Sequence, residues 1–99
     1  MNNFKISQLQ TNQFVLQDFD NNTIYFQSYD SKICKIENHW KITLYQHFDF
    51  SKITSKYLHE FLKKFTCYGD EIFNFIKKEN IRKNKSLQYG NFYIVFEEC

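Results

Sequence analysis

Alanine and proline are absent from this sequence, arginine occurs once, and glycine stands only at positions 69 and 90. Two isolated glycines exclude a glycine-rich loop that would bring backbone amides against a phosphate, so nucleotide-dependent chemistry has no support here. A single arginine leaves little capacity for bidentate reading of base edges. Cysteine is sparse and odd in number: Cys34, Cys67 and Cys99 are widely spaced and form no Cys-x-x-Cys pair, which implies reduced thiols and no disulfide framework. Long apolar runs are missing as well. The longest, Phe92 to Phe96, is too short to span a bilayer, and Met1 to Gln13 contains no apolar signal segment, so the expectation is a cytoplasmic protein without a membrane partner.

Large aromatic side chains take the place of the missing small ones. Twelve Phe, seven Tyr and one Trp let 99 residues fill one core, and the reading is a single domain over residues 1–99. Twelve Lys against one Arg, with abundant Asn, is the usage of an AT-rich genome and points to a low-GC bacterium or to a phage or mobile element living in one. The net charge of +2 is uneven: residues 1–50 hold four lysines against five acids, whereas residues 51–99 hold nine basic residues against six acids. Lys77, Lys78, Arg82, Lys83 and Lys85 face only Glu79 in the segment that carries much of this excess, which excludes an acidic mimic of nucleic acid.

Alternation of apolar and polar residues marks strands in the first half. Phe14 and Leu16 share one face; after a turn at 18–22, Ile24 and Phe26 share a face opposite Tyr25, Gln27 and Tyr29; Cys34 and Ile36 follow the turn at Asp30 and Ser31. Beyond Asn38, Trp40, Ile42 and Leu44 alternate with Lys41, Thr43 and Tyr45. The period then changes. Ile53, Tyr57, Leu58, Phe61, Leu62 and Phe65 recur at three and four, the stripe of an amphipathic helix that Asp49 or Ser51 caps. Asp70 is placed to cap a second helix burying Ile72, Phe73 and Ile76 and ending near Asn80, and Phe92, Ile94 and Phe96 form a last strand. The predicted architecture is α+β, an antiparallel sheet of four to five strands with two helices packed on one face.

Chemical constellations are weak. His39, His47 and His59 keep no metal-ligand spacing with the cysteines, and His59-Glu60 opens a zinc-peptidase pattern whose second ligand position holds Lys63. No cofactor is called for, and the chain reads as a binding protein, not an enzyme. If Ile24, Phe26, Ile42, Leu44, Phe92, Ile94 and Phe96 pack against the helices, then Tyr25, Tyr29, Tyr45 and Tyr93 with Lys41 occupy the other sheet face, where they would anchor a protein or stack bases. The plainer reading is that tyrosine favours strands and that the N-terminal segment covers that face. The basic run from Lys77 to Lys85, with Arg82, Lys83 and Lys85 as the named site residues, is the candidate for phosphate contact, against the plainer reading of a solvated helix end.

FQSYDSKICKI at Phe26–Ile36 and SKITSKYLHEFL at Ser51–Leu62, separated by a strand ending in LYQHFDF, resemble a family of small uncharacterised proteins from phages and mobile elements. Those blocks carry an FQSY strand and turn, a Ser/Thr-rich helix start and a KYLxxFL helix; Phe48, Asp49 and Phe50 replace an expected Trp-Asp-Tyr approach. The resemblance implies an accessory protein that binds and inhibits a bacterial host protein or ribonucleoprotein complex, such as an anti-CRISPR. The alternative is a small nucleic-acid-binding module that uses the tyrosine face and the basic segment.

Overall fold

The computed structural model describes residues 4–98; Met1–Asn3, at the start of the N-terminal segment, and Cys99 lie outside the described residues. Seven strands and three helices follow in the order β1 (Phe4–Gln10), β2 (Gln13–Asp18), β3 (Thr23–Ser28), β4 (Ser31–Glu37), β5 (Lys41–Tyr45), α1 (Lys52–Phe65), α2 (Gly69–Glu79), α3 (Ile81–Asn84), β6 (Ser86–Tyr89) and β7 (Phe92–Glu97). They form one sheet in the order β1-β2-β3-β4-β5-β7-β6, antiparallel throughout except where β5 runs parallel to β7. The architecture is α+β as expected, but with seven strands in place of four to five and a third, short helix. β1 and β6 account for the difference. The described part of the N-terminal segment, Phe4–Gln10, does not fold over the tyrosine face; it pairs edge-on with β2.

Five hairpin turns set the register, and each holds a residue at positive φ: Asn12 at 64°, Asn22 at 50°, Tyr29 at 55°, Asn38 at 54° and Gly90 at 56°. Asparagine reaches this left-handed region more readily than other non-glycine residues because its short amide bonds its own backbone, which explains three of the five. Trp40 belongs to the β4–β5 turn, not to the strand, and is exposed.

Side chains alternate across the sheet, so two rows of register partners reach the helices. One row runs Val15, Phe26, Cys34, Leu44, Phe96, and the other Ile24, Ile36, Ile42, Ile94, Leu87. Val15 is thus the core residue of β2, while Phe14 and Leu16 share the open face. Leu58, Phe61 and Leu62 of α1, Ile72 and Ile76 of α2 and Ile81 of α3 close this core from one side. Within α1 the buried stripe begins at Thr54, and Ile53 points to solvent. Ser51 is the N-cap: its hydroxyl accepts from the Thr54 amide at 3.1 Å.

Asp70 does not cap α2. Tyr68 occupies that position without a side-chain bond, and the Asp70 carboxylate instead meets His59 Nε2 at 2.5 Å. The α1–α2 connection is tight because Gly69 lies against the α1 backbone, where a Cβ would come within 2.4 Å of Lys63 Cα and N.

Candidate functional site

The open face of the sheet carries a row that crosses all seven strands: Ile6, Leu16, Tyr25, Lys35, Thr43, Val95, Ser86. Beside it lie Lys41 and its register partner Tyr93, and Tyr45 opposite Glu97. Tyr25, Lys41, Tyr45 and Tyr93 therefore share one face. Their accessibility differs sharply. Tyr93 is 37% exposed, Tyr25 and Lys41 are half-buried, and Tyr45 is 4% exposed. The Lys32 ammonium stands 4.9 Å from the Tyr45 ring centre, shielding it from a partner. Burial pushes the Tyr45 pKa above its ordinary value, with Lys35 opposing the shift. Burial also works against charge on Lys35, but the neighbouring Tyr45 and Glu37 outweigh it and hold that pKa above the usual one; Lys35 Nζ lies 3.3 Å from Glu37.

Tyr29 falls in the β3–β4 turn, not on the sheet face, and its amide donates to the Asn12 carbonyl at 2.7 Å. Arg82, Lys83 and Lys85 lie at the other surface. Arg82 pairs with Asp49, donates to the Gln46 carbonyl at 2.5 Å, and spreads its guanidinium over Phe48 and Phe96 at 4.9 and 5.0 Å. Lys85 bonds Glu98 at 2.7 Å and holds that carboxyl below its ordinary pKa. Lys83 remains exposed. Since Phe96 faces the helices, Arg82 and Lys85 are separated from the tyrosines by the sheet itself, and the two sets form two surfaces.

Sequence reasoning missed an accessible apolar surface. Ile6, Phe14, Leu16 and Tyr25, with Gln27 and Lys32, line an open groove of about 490 Å³ over β1–β3. Ile6 is 72% exposed and Phe4, on the same face, 46%. Among the described residues no strand lies beside the outer edge of β1, which leaves that edge available for pairing next to this groove. The opposite edge differs: β6 is only four residues long and turns Ser86 and Gln88 to solvent. Alternation of Phe4 and Ile6 with Lys5 and Ser7 is the signal that could have revealed β1.

A second concavity lies among the helices. Phe48, Leu58, Phe73, Ile76 and Ile81 floor a cleft of about 520 Å³ whose rim holds Lys77, Lys78 and Arg82. It continues, through the shared Asp49, Ser55, Phe73 and Lys77, along the flank of α1 past Lys52, Lys56 and His59. His59 stacks on Phe73 with ring centres 4.4 Å apart. No group of three or more His, Cys, Asp or Glu side chains among the described residues is arranged to hold a metal ion. Cys34 is wholly buried in the sheet core, where loss of solvation pushes its thiol pKa far up, and Cys67 is exposed.

No curated protein and no solved structure matches the chain. A family model does match residues 3–81, a span that includes the β1–β3 groove and the walls of the helical cleft up to Ile81 and stops before β6 and β7. The chain belongs to that family of unknown function (DUF8033).

Proposed function

We propose that this protein is a non-catalytic binding module that docks a partner protein on the β1–β3 side of its open sheet face. The groove beside an unpaired β1 edge carries this reading. An extended partner segment laid along β1 would complete its backbone hydrogen bonds and set alternate side chains beside Phe4 and Ile6, at the border of the groove that Phe14 and Leu16 line. Lys5 on β1 and Lys32 at the groove favour a segment bearing acidic residues.

The partner we propose is a bacterial host protein, alone or within a ribonucleoprotein complex, and the biological role is inhibition by a phage or mobile-element accessory protein, as with an anti-CRISPR. Support for that role is the lysine-rich, alanine-free composition. Tagged protein should retain purified bacterial defence complexes of one type and inhibit them stoichiometrically. Ile6→Asp should abolish retention, whereas Ile53→Asp, which alters an exposed isoleucine on α1, should leave it intact. Equal effects of the two substitutions would defeat the reading.

A further inference from the structure

We propose that the cleft between α1 and the α2–α3 segment binds single-stranded nucleic acid through its phosphates, a site separate from the sheet groove. Its walls bring together Lys52 and Lys56 of α1, Lys77 and Lys78 of α2, and Arg82 of α3. The carboxylate that lines the same space is Asp49, and it is already paired with Arg82. Lys52, Lys56, Lys77 and Lys78 make no salt bridge among the described residues; the Lys77 and Lys56 ammonium groups rest over the Phe73 and Tyr57 rings at 5.3 and 5.2 Å, so four cationic side chains without a carboxylate partner lie along the connected cleft. Like charges gathered this way repel one another, and an anion placed between them relieves that repulsion.

The distribution of the charges selects the kind of anion. Lys52 and Lys56 stand one turn apart, about 6 Å along the α1 axis; Lys77 of α2 lines the same flank, and Lys78 continues the series into the adjoining cleft. A row of cations along the connected cleft suits a chain of phosphates better than a single compact anion. Lysine is suited to this task because it acts as a point charge without demanding planar, bidentate geometry. One exposed ring lies on the same path: Phe50, 77% exposed, stands at the α1 end, whereas Phe73 is already stacked on His59 and met by Lys77. An exposed ring beside a lysine-lined track is the combination that holds unpaired bases without reading their order. A duplex has its bases stacked inside and offers no base to Phe50.

The test is fluorescence anisotropy of the full chain with labelled oligothymidylate, oligouridylate and a mixed-sequence duplex across a salt series. Saturable binding to the single strands, weaker for the duplex, is expected. Affinity should fall steeply between about 50 and 200 mM salt, and each lysine lost from the cleft should reduce the log–log salt slope by about 0.7. Lys52→Gln and Lys78→Gln should each weaken binding several-fold, and Phe50→Ala should weaken it without changing the slope. Lys83→Gln, outside the cleft, and Lys32→Gln, on the sheet face, should leave it unchanged. Retention of the folded state is checked by circular dichroism, and exposed lysines are not expected to alter it. Absence of saturable binding at the lowest salt overturns the inference. So does preference for duplex, or equal sensitivity to Lys83→Gln. Because Lys52→Gln and Lys78→Gln leave the β1–β3 groove intact, failure here is distinguishable from failure of the protein-docking reading.

Discussion

The rings of Phe26 and Phe61 stack 5.5 Å apart at an interplanar angle of 23°, and both side chains are fully buried. This contact joins the centre of β3 to the middle of α1 and is where the sheet and the helical layer meet. Phe61→Ala should therefore cost about 3–5 kcal/mol, combining lost transfer energy with the cavity left under Phe26. Denaturant unfolding of the purified variant measures it. A loss below about 1 kcal/mol would mean that α1 does not seat on β3 through this ring.

Thr43 is wholly buried on the open side of the sheet, and its hydroxyl has no hydrogen-bond partner among the described residues. Valine has nearly the same shape and no polar atom to leave unsatisfied. Thr43→Val should raise stability by about 1 kcal/mol, read as a higher denaturation midpoint at unchanged slope. A destabilised variant would show that the hydroxyl is bonded in solution.

Gly69 is constrained by packing, not by its dihedral angles. A methyl group there would lie 2.4 Å from the Lys63 backbone, and the backbone of α1 cannot yield cheaply. Gly69→Ala should destabilise the fold by about 1–3 kcal/mol despite the better helix propensity of alanine. Thermal melting that is unchanged or improved would show that α1 and α2 separate easily at this end.

Two buried groups make stability fall at alkaline pH. The Cys34 thiol is pushed above its ordinary value of 9.0 by burial, and the Tyr45 hydroxyl above its ordinary value of 10.0, also mainly by burial. Both are neutral when protonated, so the unfolded chain releases these protons at lower pH than the folded one. Their contribution is complete below those ordinary values and is lost as pH rises past about 9 and then past about 10. Unfolding free energy should decline over that range, and Cys34→Ala should remove the earlier part of the decline. In a Cys99→Ser background, iodoacetamide should modify Cys67 rapidly and Cys34 only after unfolding.

Much of this fold was legible where both periodicities were strong. Ile24 and Phe26, Ile42 and Leu44, and Ile94 and Phe96 alternate over enough residues to reveal their shared face, and Leu58, Phe61 and Leu62 reveal α1. β1, β6 and α3 escaped for physical reasons. β1 keeps most of its apolar side chains on the face away from the core, β6 has four residues, and α3 is a single turn inside the basic segment. The tyrosine face was correctly assembled from alternation for Tyr25, Tyr45 and Tyr93, but alternation says nothing about what lies over a side chain. Lys32 covers Tyr45 from another strand, and no spacing along the chain encodes that contact. Arg82 and Asp49 are likewise brought together across 33 residues by the fold alone.

β7 enters the sheet between β5 and β6, parallel to a strand completed by residue 45. A nascent chain can close β1 to β5 by successive short hairpins as it leaves the ribosome, because each pairs with its immediate predecessor. The inner edge of β5 then waits for residues 92–97, with Ile42 and Leu44 lacking their Ile94 and Phe96 neighbours. Folding should consequently finish in a late, rate-determining insertion. The partly synthesised chain would carry a hydrophobic, unpaired β5 edge through that interval, which makes it the point in the protein's lifetime most dependent on chaperone protection.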